Sequence, residues 1–116
     1  MESQKRQLEE AIVSHGWRVA EREVIITEWW ADEIWTIESV WTPVGFRLFL
    51  TFLVDPQSGQ RRPGEDVYAV SCSSIRPQTR ADAVADPLIF VRPSWEKNLP
   101  EFLANVKEIR DRATAL

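Results

Sequence analysis

The stretch WRVAEREVIITEWWADEIWTIESVW, residues 17–41, decides how this chain is read. It holds five of the six tryptophans, and apolar and polar residues alternate along it as they do in β-structure. Successive side chains of a strand point to opposite sides, so this period implies a sheet with one buried face. Tryptophan is bulky and carries one polar N–H, so it belongs in a core, at an interface or against a flat ligand. Which of these holds is the functional question the sequence poses.

Outward from this stretch, the pattern predicts strands over 17–30, 35–41, 46–54 and 66–74, with a short fifth over 88–91. Thr42-Pro43-Val44-Gly45 fits a type I turn, with Pro second and Gly fourth. Residues 55–65 are polar and contain Pro56, Gly59, Pro63 and Gly64, the composition of a long hairpin loop. A first helix is expected over about 3–14, with Ser3 as N-cap and Gly16 as the stop. Asn98-Leu99-Pro100-Glu101 reads as a capping box opening a last helix, along which Leu99, Phe102, Leu103, Val106, Ile109 and Ala113 recur at helical spacing.

The registers can be tested against one another. A loop over 31–34 sets Trp30 opposite Trp35, the next turn sets Trp41 opposite Phe46, and the long loop sets Val54 opposite Asp66. All three pairings place Val24, Ile26, Trp30, Trp35, Ile37, Trp41, Phe46, Leu48, Leu50, Phe52, Tyr68, Val70 and Cys72 on one face, spoiled only by Glu28 and Ser39. A slip of one residue would destroy that agreement. The expected architecture is a single α+β domain spanning 1–116. Its four- to five-stranded antiparallel meander carries the N- and C-terminal helices on one face, in two layers. The opposite face carries Ile25, Thr27, Trp29, Thr36, Glu38, Val40, Arg47, Phe49, Thr51, Leu53, Val67, Ala69, Ser71 and Ser73. Trp29 and Phe49 interrupt its polarity, and no third helix is expected to cover them.

Composition narrows the function classes. With 44% hydrophobic and 28% charged residues the chain is globular, and at 116 residues it buries a core without disulfides or metals. Cys72 is the lone cysteine, which leans towards a reducing cytoplasm. The N-terminus leads into no apolar segment of the signal-peptide kind, and the longest apolar run, 46–54, contains Arg47 and is too short to span a bilayer. A formal charge of −4 gives no general attraction to nucleic acid or anionic lipid. Acidic groups gather at Glu21, Glu23, Glu28, Asp32, Glu33 and Glu38, while Arg61, Arg62, Arg76 and Arg80 dot the later loops.

No familiar nucleotide, hydrolase or metalloprotease motif occurs, and one Cys with one His cannot furnish an ordinary zinc site. His15 falls where a cation would complement a helix C-terminus, and Cys72 falls on the core face as a small hydrophobe. Glu28 and Glu38 face opposite sides in this register, so they do not form a glycosidase pair. Trp29, Phe49 and Arg47 could stack single-stranded nucleic acid, but the acidic hairpin would repel its backbone. The sequence therefore points to a non-catalytic interaction module that needs no cofactor or metal. Its partner would be a protein, including a second copy as a homodimer. The expected contact residues are Trp29, Phe49, Thr36, Glu38 and Arg47, an aromatic centre within a polar rim. The competing reading is a small-molecule binder or enzyme with a pocket between sheet and helices, lined by Trp17, Trp35, Trp41 or Trp95.

Overall fold

The computed structural model describes residues 4–41, 46–54, 69–84, 88–90 and 95–114. Along the chain run α1 (Gln4–Ser14), β1 (Trp17–Val24), β2 (Ala31–Ser39), β3 (Arg47–Leu53) and β4 (Ala69–Ser73). After them come α2 (Arg80–Val84), β5 (Leu88–Phe90) and α3 (Trp95–Thr114). The class is α+β: β1 to β4 form an open antiparallel sheet in sequence order. Along the outer edge of β4, Ala69, Val70 and Ser71 stand opposite Phe90, Ile89 and Leu88. The turn at 42–45, the loop at 55–65 and Tyr68 lie outside the described residues.

One face of the sheet carries the main core. Trp17, Trp35, Ile37, Leu48, Leu50, Phe52, Val70 and Cys72 pack there with Leu8 and Ile12 of α1 and Phe102, Leu103 and Val106 of α3. The apolar stripes of both helices, recurring every three to four residues, are thereby taken out of water. Trp35 meets Phe52 edge to face, with centroids 4.7 Å apart. At the margin of this core Lys5 pairs with Glu33, which also accepts the Trp35 Nε1–H at 3.2 Å. These contacts satisfy the ammonium and the carboxylate where water is largely excluded.

Several expectations need correction. β2 begins at Ala31, so 31–34 is strand and the connection is 25–30 instead. Ile25 donates its N–H to the Asp32 carbonyl at 2.9 Å, and Val54 donates to the Trp30 carbonyl at 2.9 Å. Trp30 therefore turns to the second face, packing with Ile25, Ala31, Ile34, Leu53 and Ala69 rather than opposite Trp35. A bulge between Val19 and Glu21 adds one residue to β1. It reverses the facing of the strand's first half and carries Trp17 into the main core. In the second turn the ladder pairs Ile37 with Leu48, two residues from the expected Leu50. Such a two-residue shift keeps every side chain on its face.

Trp41 leaves the ladder. The Val40 N–H donates to the Gly16 carbonyl at 2.8 Å, and the Trp41 ring lies against the Gly16 backbone. Gly16 has φ +84°, a conformation that ends α1 and that glycine adopts without steric cost. Buried Arg110 of α3 stacks near both Trp17 and Trp41, its guanidinium 5.0 and 5.1 Å from the rings, and donates to the His15 carbonyl at 3.2 Å. This one side chain ties the end of α1, the start of β1 and the end of β2 to α3. Finally, α3 starts at Trp95, so Pro100 lies inside the helix and Asn98 is not its cap.

Candidate interaction surface

On the second face the central positions are buried, which overturns the expectation of an open sheet. Thr36, Thr51, Ser71 and Ser73 are all at or below 7% exposure, and Phe49 is half-buried against the Trp30 cluster. The chain itself crosses this face. Arg76, three residues beyond the end of β4, forms an ion pair with Glu23 of β1 on the far side of the sheet. Pro77 beside it is buried, and α2 packs on β4. The segment is rigidified by a reciprocal cap: the Asp82 carboxylate accepts from the Thr79 N–H at 3.2 Å, and the Asp82 N–H donates to the Thr79 hydroxyl at 3.1 Å. Thr79-Arg80-Ala81-Asp82 is the sequence signal that could have revealed α2. Among the described residues the hydroxyls of Thr51, Ser71 and Ser73 find no hydrogen-bond partner.

Besides Val13 of α1 and Ile75 beyond β4, the exposed large apolar side chains among the described residues lie at the two ends of the sheet. At one end Val24, Ile26 and Trp29 are 59%, 80% and 61% exposed, all on or beside the β1–β2 connection. Ile25 and Trp30 within the same connection are buried, so the backbone is held while its neighbours face water. The alternation of the sequence places Val24 and Ile26 on the core face. They are not there because β1 ends at Val24 and has no ladder partner beyond Glu33. Glu21, Glu23 and Glu28 lie on and next to this apolar tip.

At the other end Arg18, Glu38 and Arg47 stand in one cross-strand row, Glu38 directly opposite both arginines. Arg18 Nη2 donates to Glu38 Oε1 at 2.7 Å and Arg47 Nε to Oε2 at 3.1 Å. The hydrogen bond from Arg18, with the charges of both arginines, holds the Glu38 carboxyl below its ordinary range. Exposed Val40 and Trp41 adjoin this row.

Of the five expected contact residues, Trp29 and Arg47 are exposed, Glu38 is largely covered by its arginines, Phe49 is half-buried and Thr36 is buried. Trp29 and the Glu38–Arg47 pair do not meet in one patch centred on Phe49, because they lie at opposite ends of the sheet and the positions between them, Thr36 and Thr51, are buried. Of the tryptophans of the competing reading, the Trp95 side chain lies outside what is described, and Trp17, Trp35 and Trp41 do not gather around a pocket. Trp17 and Trp35 are packed in the core and Trp41 stacks outside it. A half-open groove of about 490 Å³ does exist, on the flank between α1 and α3, lined by Gln7, His15, Leu99, Pro100, Leu103, Ala104 and Lys107.

Among the described residues no three His, Cys, Asp or Glu side chains gather to hold a metal ion. Cys72 is buried. No described helix is long and apolar enough to cross a membrane. Compared with known protein families, curated proteins and solved structures, the chain matches none.

Proposed function

We propose that this chain is a non-catalytic interaction module that binds a protein partner, including a second copy of itself, through an apolar anchor centred on Trp29. The observation that carries the reading is the exposure of Val24, Ile26 and Trp29 together at the end of β1 and on the short connection after it, which buried Ile25 and Trp30 pin to the second cluster. Monomeric proteins scatter single exposed apolar residues, but three large ones on one rigidly held segment form a patch of the kind that interfaces cover. The frame behind it is a two-layer domain of five strands with both terminal helices on one face, working in a reducing, cytoplasmic setting that suits its buried thiol. Arg47 and Glu38 at the far end would form a second, polar contact zone, and Phe49 and Thr36 would support the anchor from beneath.

The test compares wild type with Ile26→Ser/Trp29→Ser by light scattering at micromolar concentration, with circular dichroism verifying the fold. Phe49 is left intact because it packs in the Trp30 cluster, where serine would destabilise the protein. A dimeric wild type and a monomeric variant support self-association through the tip. If both are monomeric, the tip is free for a foreign partner, and capture of that partner must then depend on Trp29. A dimer that survives the double substitution refutes the assignment of this surface.

A further inference from the structure

The two exposed ends of the sheet differ in charge, and each also carries large apolar side chains. At the tip, Val24, Ile26 and Trp29 stand beside Glu21, Glu23 and Glu28. Arg22 pairs with Glu9 and Arg76 with Glu23, which leaves Glu21 without an ion pair among the described residues. At the far end, half-exposed Val40 and Trp41 adjoin Arg18 and Arg47, and these two guanidiniums share the one carboxylate of Glu38. The Arg18 and Arg47 side chains are still 60% and 62% exposed, and a guanidinium has several N–H donors, so each keeps donors facing water. Among the described residues the tip is thus apolar with a negative rim, and the far end apolar with a positive one.

β2 runs from one end to the other over nine residues, a rise of about 26 Å. The two patches therefore face opposite ways. Like ends repel, because tip against tip sets the Glu21 carboxylates of both copies together, and far end against far end sets arginines together. Unlike ends attract: carboxylates meet guanidiniums with free donors, while Trp29 and Ile26 find apolar partners in Val40 and Trp41. The far end also adds apolar area that the tip alone lacks for a stable contact.

We propose that the tip of one copy docks on the far end of the next, with Trp29 against Val40 and Trp41 and the Glu21 carboxylate on Arg18 or Arg47. This rests on the Trp29 anchor of the proposed function and names its occupant as a second copy in head-to-tail orientation. Such a contact is heterologous. A row of docked copies always presents a free tip at one end and a free far end at the other, so association proceeds past the dimer.

Sedimentation velocity of the full chain tests this from about 10 μM to about 1 mM, the range suited to a contact smaller than a standard interface. Wild type should grow beyond the dimer as concentration rises, and raising NaCl from about 0.05 M to about 0.5 M should weaken the contact by about tenfold. Ile26→Ser/Trp29→Ser removes the tip. Val40→Asp and, independently, Arg47→Glu set a negative charge against the acidic rim from exposed positions, with circular dichroism verifying each fold. Each variant alone should associate at least about tenfold more weakly than wild type. Mixed in equal amounts, the tip variant and a far-end variant should recover a one-to-one heterodimer that grows no further, because only one intact tip and one intact far end remain to meet. Far-end variants that associate like wild type, while the tip variant does not, overturn the head-to-tail arrangement and leave the Trp29 anchor standing. A tip variant that associates like wild type overturns the anchor and this inference with it. A wild type that stays monomeric or stops at the dimer over the whole range, or a mixture that forms no heterodimer, also overturns the head-to-tail arrangement.

Discussion

Replacing Gly16 by alanine probes the corner where α1, β1, β2 and α3 meet, and two separable penalties follow from its geometry. The first is backbone strain. Gly16 sits at φ +84°, where an L-residue pays about 1–2 kcal/mol. The second is steric, since a Cβ there would stand 2.5 and 2.6 Å from Trp41 Cε2 and Cε3. The ring must swing away, forfeiting its stack on Arg110 at 5.1 Å, worth about 0.5–1 kcal/mol at a partly exposed site. Together Gly16→Ala should cost about 2–3 kcal/mol and lower Tm by roughly 10 °C for a chain of this size. A thermal-denaturation cycle with Trp41→Ala separates the terms. Without the ring, Gly16→Ala should cost only the backbone part, giving a coupling of about 1 kcal/mol between the two sites. In the same background Gly16→Asn should be milder than Gly16→Ala, because asparagine tolerates positive φ better. An unchanged Tm for Gly16→Ala, or equal costs with and without Trp41, would refute the reasoning.

Phe102→Ala should destabilise by about 3–5 kcal/mol in denaturant unfolding, because the ring is buried between α3 and the sheet with Trp35 and Leu50 in the same cluster. An unshifted midpoint would place α3 the other way round. Glu38 carries a pH signature: its folded carboxyl titrates below the unfolded value of about 4.5, so its contribution is complete above that pH and is lost as pH falls through the folded pKa. Wild type should therefore lose stability below about pH 4.5 more steeply than Glu38→Gln, and parallel acid-unfolding curves would show that the row adds nothing.

Much of the sheet was legible because facing survives errors in pairing. The alternation of Phe46, Leu48, Leu50 and Phe52 against Arg47, Phe49, Thr51 and Leu53 fixes which side of β3 meets the helices, whichever residue opposes it. A register off by two is invisible to that test, which is why Ile37 was paired with the wrong leucine. The β1–β2 connection was misread for a different reason. Residues 30–35 carry apolar groups suited to either face, and only the second cluster beneath Leu53 and Ala69 draws Trp30 and Ile34 away from the core. That cluster depends on residues distant in sequence. The bulge in β1 likewise leaves no compositional mark, and one inserted residue sets the side on which Trp17 lies, the core. The candidate surface was legible only at Trp29. The burial of the second face goes with a contact no local pattern announces, Arg76 on Glu23, residues 53 apart.

That covering changes what the exposed surface can accomplish. An open sheet face offers a broad patch, whereas Val24, Ile26 and Trp29 at the tip offer roughly 300–400 Å² of apolar area, about 8–10 kcal/mol gross. Association itself costs about 4–15 kcal/mol, and a standard interface buries about 800 Å² on each partner. The tip is therefore an anchor that must recruit its surroundings, and those surroundings include acidic Glu21 and Glu28, beside the Glu23 that Arg76 already pairs. Two copies meeting tip to tip about a twofold axis set these carboxylates against each other, so salt should strengthen self-association by screening the repulsion. A foreign partner complementary to the same rim is basic around an apolar pocket, and salt should weaken that complex. The direction of the salt dependence thus identifies the class of occupant. Self-association that weakens as salt is raised would mean the acidic rims are not what the two copies bring together.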